Sequence, residues 1–144
     1  MLKGIPSILP PELLKILMEM GHGDALVIGD GNFPAASMAQ RLVRCDGHNI
    51  PELLDAILKL FPLDAFVDTP VSLMQVVPGT KAETPIWDVY REIINKHEPV
   101  HNKIEEVERF AFYEKAKKAY AVIATGEKAL YANIILKKGV VIEN

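Results

Sequence analysis

Cysteine is nearly absent from this chain of 144 residues, in which Cys45 is the only one. A single cysteine excludes an internal disulfide, so the fold has to be stabilised by its core. Hydrophobic residues make up 49% of the chain, which is enough for a full core, and the length suits one domain. We therefore predict a single domain over residues 1–144 that needs neither disulfides nor a structural metal.

An excess of positive charge is also lacking, since 16 Lys and Arg face 19 Asp and Glu. Nucleic acids and anionic membranes select for basic faces, so neither is expected as a partner. No uncharged apolar stretch approaches the ~18 residues of a membrane span, and no secretory signal is visible after Met1. We expect a soluble cytoplasmic protein. Its slightly positive mean hydropathy of +0.13 suggests that some apolar surface is covered between subunits.

Helical and extended segments alternate along the chain. Apolar periodicity, proline and glycine predict helices over 10–20, 50–61, 85–96 and 110–119. Strands are predicted over 24–29, 40–46, 71–77, 104–108, 120–124 and 130–136, with 140–142 extending or reversing the last. Loops are expected over 30–34 and 97–102. This alternation is typical of an α/β fold with a mostly parallel sheet flanked by helices.

The most informative residue is His22, which lies between Gly21 and Gly23. Glycine lets a ligand approach the main chain, and imidazole titrates closer to neutral pH than other side chains. A carboxylate, Asp30, follows the predicted strand 24–29. Together they indicate proton transfer on a small molecule. His22 could instead cap the preceding helix, and Asp30 could instead cap its own loop.

Two motif matches are rejected. Residues 97–101 read H-E-x-x-H, but Pro99 interrupts the helix that would place both histidines on one face, so a solvated linker is predicted. The Gly29-Asp30-Gly31 sequence begins like a dinucleotide-binding loop, but Pro34 replaces the third glycine. A carboxylate inside such a loop would also repel a pyrophosphate.

The lone thiol is interpreted as structural. Cys45 ends a predicted strand beside Asp46, and a neighbouring acid disfavours the reactive thiolate. No other cluster has the spacing of metal ligands. We therefore predict no metal site and no cofactor.

Polar residues late in the chain are further candidates. Tyr131 and Asn133 are two positions apart, so they would share one face of the predicted strand 130–136. A buried amide needs a hydrogen-bond partner, and an aromatic ring with an amide suits a sugar, although a core or subunit interface fits equally well. Arg109 gains nothing from the dipole at the start of its helix, so it should face an acid, a ligand or solvent.

Seven ordered segments carry a resemblance to the fucose mutarotase/ribose pyranase family. They are residues 2–5, 11–14, 19–24, Asp30 with 32–34, 109–116, 125–127 and 131–140. Within this family, ribose pyranases have histidine and lysine where this chain has Arg109 and Tyr113. These two residues, together with 85–87 and Tyr90, resemble the fucose branch instead.

The resemblance implies an isomerase of carbohydrate metabolism that interconverts the α and β anomers of a free, fucose-like sugar without a cofactor. It implies that His22 transfers protons and that the sugar is bound by Asp30, Arg109, Tyr113, Tyr131 and Asn133, with Asp24 and Ala132 as further candidates. It also implies ring-shaped assemblies, usually decamers of two stacked pentamers. D-ribose pyranase and a sugar-binding module without turnover stay open as alternatives, as do the roles of Asp24 and Tyr120.

The predicted strand also separates two of these residues. A straight strand rises ~3.3 Å per residue, so His22 and Asp30 would lie roughly 20 Å apart, too far for one sugar. Either the chain bends at Gly23 or Gly29, or neighbouring subunits share each site. We predict that two chains complete each pocket, and that the segment 131–133 crosses between them.

Overall fold

Six strands form one sheet in the computed structural model, which describes residues 1–144. They are β1 (Ala25–Gly29), β2 (Leu42–Cys45), β3 (Val71–Met74), β4 (Ile104–Val107), β5 (Ala121–Thr125) and β6 (Ile134–Lys137). Their order across the sheet is β2-β5-β1-β6-β3-β4. All run parallel except β6, which lies antiparallel between β1 and β3. The predicted α/β fold with a mostly parallel sheet is confirmed.

Five helices accompany the sheet: one precedes the first strand, and the other four each connect two consecutive strands. They are α1 (Pro11–Glu19), α2 (Ala35–Met38), α3 (Ile50–Leu58), α4 (Pro85–His97) and α5 (Arg109–Lys118). Proline occupies the first or second position of α1, α3 and α4, where its missing N–H costs no helical hydrogen bond. None of the five helices combines the length and the apolar content that crossing a bilayer requires.

Hydrophobic cores lie on both faces of the sheet. The larger core contains residues of α1, α3 and α4, and the smaller core contains residues of α2 and α5. Because side chains of a strand alternate between faces, Leu26 and Ile28 of β1 enter the larger core while Val27 enters the smaller one. Burial on both faces explains why these strands read as continuous apolar runs.

The last predicted strand is partly wrong. β6 begins only at Ile134, and Tyr131 lies in a turn with a φ of 54°. Tyr131 and Asn133 therefore do not share the face of a strand. The sequence does not reveal this, because a buried apolar turn has no periodicity that separates it from a strand. Residues 140–142 form no strand, and the third predicted strand ends at Met74 rather than at residue 77.

Other local predictions have clear outcomes. α4 ends at His97, so Pro99 lies outside the helix, as predicted for the rejected H-E-x-x-H match. Cys45 is buried, and burial together with the charge of Asp46 raises the pKa of its thiol, as a structural cysteine requires. The four-residue helix α2 was not predicted because so short a segment shows no helical periodicity.

Candidate functional site

The predicted site residues divide between the two ends of β1. His22 precedes the strand, and Asp30 follows it. β1 is a regular five-residue strand, so the chain does not fold back to bring the two side chains together. Within one chain they belong to two separate arrangements, which are described in turn.

A pocket of about 220 Å³, lined by both polar and apolar side chains, lies beyond the carboxyl end of β1. It contains five of the predicted residues, namely Asp30, Arg109, Tyr113, Tyr131 and Asn133. The ends of β3 and β4 and the start of the antiparallel β6 reach the same edge of the sheet. This is where α/β folds commonly bind small molecules.

The carboxylate of the pocket is Asp30, which is almost entirely buried. Its backbone N–H donates to Asn133 Oδ1 at 2.7 Å, and its own Oδ1 accepts the N–H of Asn32 at 3.0 Å. Burial raises the pKa of Asp30 above its usual range, and the charge of Glu127 adds to this, although backbone N–H groups including that of Ala132 oppose the shift. Asp30 is therefore a more basic carboxylate than a typical surface one.

The turn before β6 is held by two aromatic side chains of α4. Trp87 Nε1–H donates to the carbonyl of Tyr131 at 2.8 Å, and the Tyr90 hydroxyl donates to the carbonyl of Ala132 at 2.7 Å. A positive φ at a residue other than glycine costs about 1–3 kcal/mol, so Tyr131 needs such support. Its hydroxyl accepts the N–H of Val77 at 3.2 Å. Ala132 is buried and acts through its backbone.

Arg109 and Tyr113 reach the pocket from α5. They are four residues apart, so they lie on one face of the helix. The Arg109 guanidinium lies 4.6 Å from the ring centroid of Phe110 and forms no ion pair within the chain. The Tyr113 ring packs 6.1 Å from that of Phe33. The pocket therefore has an uncommitted cation and aromatic walls.

At the opposite edge, His22 is fixed by a residue that the sequence did not mark. Its Nε2 lies 3.0 Å from Oδ1 of the buried Asp64, and its ring packs 5.2 Å from that of the exposed Phe66. Burial alone would raise the pKa of Asp64, but hydrogen bonds from the Phe66 N–H and from His22 hold it below its usual range. Because an ionised carboxylate only accepts, Nε2 carries the hydrogen and the Nδ1 lone pair of a neutral His22 stays free.

The remaining candidates lie outside the pocket. Asp24 Oδ2 accepts the N–H of Gly21 at 2.8 Å, which closes the turn that carries His22. Asp24 therefore holds the backbone turn in which His22 lies. Tyr120 packs under the guanidinium of Arg41, 3.9 Å from the ring centroid. No three His, Cys, Asp or Glu side chains cluster closely enough to hold a metal ion.

The segment 131–133, which was predicted to cross to another subunit, lies instead in the pocket with Asp30 of its own chain. The residue that would have to arrive from elsewhere is therefore His22. The sequence analysis did not identify Asp64 and Phe66, because their contacts with His22 join distant segments. His22 and Asp64, for example, are 42 residues apart. No local spacing signals such a contact.

A buried carboxylate, a free guanidinium, phenols and an amide around a small cavity define an α/β protein that binds a small, hydrogen-bonding molecule. The model of the RbsD / FucU transport protein family matches residues 3–141, and the chain belongs to that family.

Named relatives agree with this assignment. The chain is 54% identical to the fucose mutarotase of Danio rerio, over 97% of this chain and 94% of that protein. It is 56% identical to the fucose mutarotase of Streptococcus pneumoniae, solved in complex with L-fucose, with a TM-score of 0.93 over 98% of this chain and 100% of the other. FucU from Bifidobacterium longum is 60% identical, with a TM-score of 0.94 over 97% and 100% of the two chains. The family resemblance inferred from the sequence is confirmed.

Proposed function

We propose that this protein is a fucose mutarotase that interconverts the α and β anomers of L-fucose by acid–base-catalysed opening and closing of the sugar ring. The observation that carries the proposal is the single pocket lined by Asp30, Arg109, Tyr113, Tyr131 and Asn133. The names of relatives about half identical over nearly the full length support the substrate.

The unused hydrogen-bonding capacity of the pocket suits a sugar. Asp30 can accept from a hydroxyl, and Arg109 can donate to one. Asn133 uses its Oδ1 on the backbone of Asp30, which leaves its NH₂ group to donate. Tyr131 accepts from Val77, which leaves its hydroxyl hydrogen to donate. Donors and acceptors are thus both available around a cavity with aromatic walls.

Ring opening requires one proton to leave the anomeric hydroxyl and one to reach the ring oxygen. The free Nδ1 of His22 takes the first proton to give an imidazolium, which the Asp64 carboxylate 3.0 Å from Nε2 stabilises. The imidazolium returns this proton to the ring oxygen as the bond between that oxygen and the anomeric carbon breaks. The aldehyde then rotates, and the ring closes on its other face by the reverse transfers. A positioned acid or base of this kind typically contributes ~10²–10⁴-fold. The carbon–oxygen bond that breaks is formed again and nothing is oxidised or reduced, so the chemistry needs no redox cofactor.

We further propose that His22 of the partner subunit completes each pocket. β1 separates the two arrangements by about 17 Å at ~3.4 Å per residue, too far for one sugar. Exposed apolar side chains flank both, with Phe66 beside His22 and Leu130 and Phe110 near the pocket. Burying them between copies would stabilise an assembly. A ring of subunits, in particular a decamer in the cytoplasm, stays a prediction from the sequence.

Magnetisation exchange between the anomers of L-fucose, followed by NMR with D-ribose alongside, tests the activity. We expect the wild-type protein to accelerate fucose exchange and His22→Ala to abolish the acceleration. His48→Ala is the matched control, because the His48 side chain is 40% exposed against 44% for His22, and His48 also pairs with a carboxylate. If the protein binds L-fucose without accelerating anomer exchange, it is a sugar-binding module and not a mutarotase. If it accelerates exchange of D-ribose more than that of L-fucose, it is a ribose pyranase.

A further inference from the structure

Glu127 is a buried carboxylate that the proposed chemistry does not use. It follows β5 and Gly126, is 8% exposed, and forms no ion pair with a basic side chain. Burying an unpaired charge is costly unless hydrogen bonds replace the lost water. The position of this residue therefore needs a structural reason.

Backbone N–H groups satisfy the carboxylate. Oε1 accepts the N–H of Ile50, the first residue of α3, at 3.1 Å. Oε2 accepts the N–H groups of Lys128 and Ala129 at 2.9 and 3.1 Å. The first N–H groups of a helix lack partners within it, and the helix dipole favours an anion there. The start of α3 thus stabilises the charge, and the same carboxylate binds the backbone of the segment that follows Glu127.

That segment leads directly into the pocket. Two residues beyond Ala129 comes Tyr131, whose carbonyl accepts the indole N–H of Trp87. The backbone carbonyl of Glu127 also accepts the N–H of Gly31 at 2.8 Å, next to Asp30. One residue therefore holds both the turn that carries Tyr131 and the loop that carries Asp30.

We propose that Glu127 is a positioning residue for the sugar site, because its carboxylate fixes the 128–133 turn while its carbonyl fixes the Asp30 loop. This inference rests on the proposed function. The negative charge of Glu127 also contributes to the raised pKa of Asp30, so it affects the electrostatics of the pocket as well as its shape.

The test compares Glu127→Gln with Glu52→Gln. A glutamine places an NH₂ group against N–H donors, so it cannot satisfy all three bonds. Glu52 caps the same helix by accepting the N–H of Asn49 at 2.9 Å, but it does not contact the turn. The readouts are the dissociation constant for L-fucose and the indole ¹H–¹⁵N resonance of Trp87, the only tryptophan in the chain.

We expect Glu127→Gln to weaken L-fucose binding by about ten- to a hundredfold and to move the Trp87 resonance, with both unchanged in Glu52→Gln. A folded Glu127→Gln protein with unchanged affinity and resonance would overturn the proposal, as would equal effects in Glu52→Gln. If the wild-type protein does not accelerate anomer exchange, the proposed mutarotase activity is rejected. The Trp87 resonance in Glu127→Gln would still show whether Glu127 holds the turn.

If Glu127→Gln does not fold, amide hydrogen exchange of the wild-type protein tests the proposal instead. The amides of Lys128 and Ala129 should exchange slowly with solvent, although both lie in an irregular connection near the surface. Exchange as fast as in an unprotected turn would contradict a fixed turn and overturn the proposal.

Discussion

Asn133 Oδ1 accepts the backbone N–H of Asp30 at 2.7 Å, although 103 residues separate them in the sequence. The bond joins the end of β1 to the approach of β6, its antiparallel neighbour. It fixes the orientation of the Asn133 amide, so that the oxygen points to the backbone and the NH₂ group stays available. This one contact therefore positions both the Asp30 carboxylate, which can accept from a sugar hydroxyl, and the Asn133 NH₂ group, which can donate to one.

A substitution at Asn133 can separate the accepting role of its amide oxygen from the donating role of its NH₂ group. Asn133→Asp keeps an oxygen for the Asp30 N–H but replaces the donating NH₂ group with a second negative charge. We expect the dissociation constant for L-fucose, measured by calorimetry, to rise by about tenfold or more. Asn95→Asp, an exposed change on α4, is the control and should have no effect. Unchanged affinity in Asn133→Asp would show that the amide does not contact the sugar.

The pH dependence of sugar binding should follow Asp30. Because burial raises its pKa above the ordinary 3.8, the carboxylate becomes neutral at a higher pH than most aspartates. The dissociation constant for L-fucose should rise as the pH falls through this raised pKa. Folding stability should change in the opposite direction, since a raised folded-state pKa favours the fold at low pH and that contribution is lost as the pH rises through it.

Measuring this dependence in His22→Ala leaves the groups of the pocket as the source of any change in affinity. Calorimetric titrations that extend from below pH 3.8 upward cover the window, because the pKa of Asp30 is raised from that value. Affinity that stays flat until ordinary aspartates titrate would exclude Asp30 as the group that controls binding.

Asp64→Asn should slow anomer exchange without removing the pocket. The amide can no longer stabilise the imidazolium, so we expect a fall in kcat of about ten- to a thousandfold with a smaller change in KM. Asp68→Asn is the control, because Asp68 is exposed and pairs only with Lys103. Equal kcat values for wild type and Asp64→Asn would mean that the carboxylate does not assist His22.

The same variant predicts a pH-dependent stability. The folded-state pKa of Asp64 is lowered, so its ionised form stabilises the fold above its unfolded pKa, and this contribution is lost as the pH falls through the folded value. Asp64→Asn should therefore lower the free energy of unfolding at neutral pH by about 1–3 kcal/mol, with a smaller difference in acid. Urea unfolding at both pH values measures it.

The sequence predicted the repeating architecture better than the details of the site. Continuous apolar runs located most of the strands because the sheet is buried on both faces, and apolar periodicity with proline and glycine located the four longer helices. The pairing of His22 with Asp64 spans 42 residues, and no repeat encodes it. The turn at Tyr131 was misread as a strand because its conformation depends on Trp87 and Tyr90, which belong to a distant helix.

Tyr90→Phe tests that dependence. Removing a fully buried hydroxyl leaves the Ala132 carbonyl without its donor, which should cost about 1–3 kcal/mol of unfolding free energy. Tyr120→Phe is the matched control, because the Tyr120 hydroxyl forms no hydrogen bond within the protein and its ring contact with Arg41 is retained. Chemical denaturation compares the two. Equal stabilities would mean that the Tyr90 hydroxyl does not support the turn.

Sharing of the site between subunits can be tested by mixing two impaired proteins at an L-fucose concentration too low to occupy the Asn133→Asp pocket. His22→Ala keeps an intact pocket, and Asn133→Asp keeps an intact histidine. If His22 acts in the pocket of a neighbouring subunit, some mixed assemblies contain a complete site. Random reassembly of equal amounts should restore about a quarter of the wild-type exchange rate, since one of four subunit pairings is complete. Each variant is unfolded and reassembled alone as the control. A mixture no more active than these controls would place His22 and the pocket of one chain in the same site, or remove His22 from the mechanism.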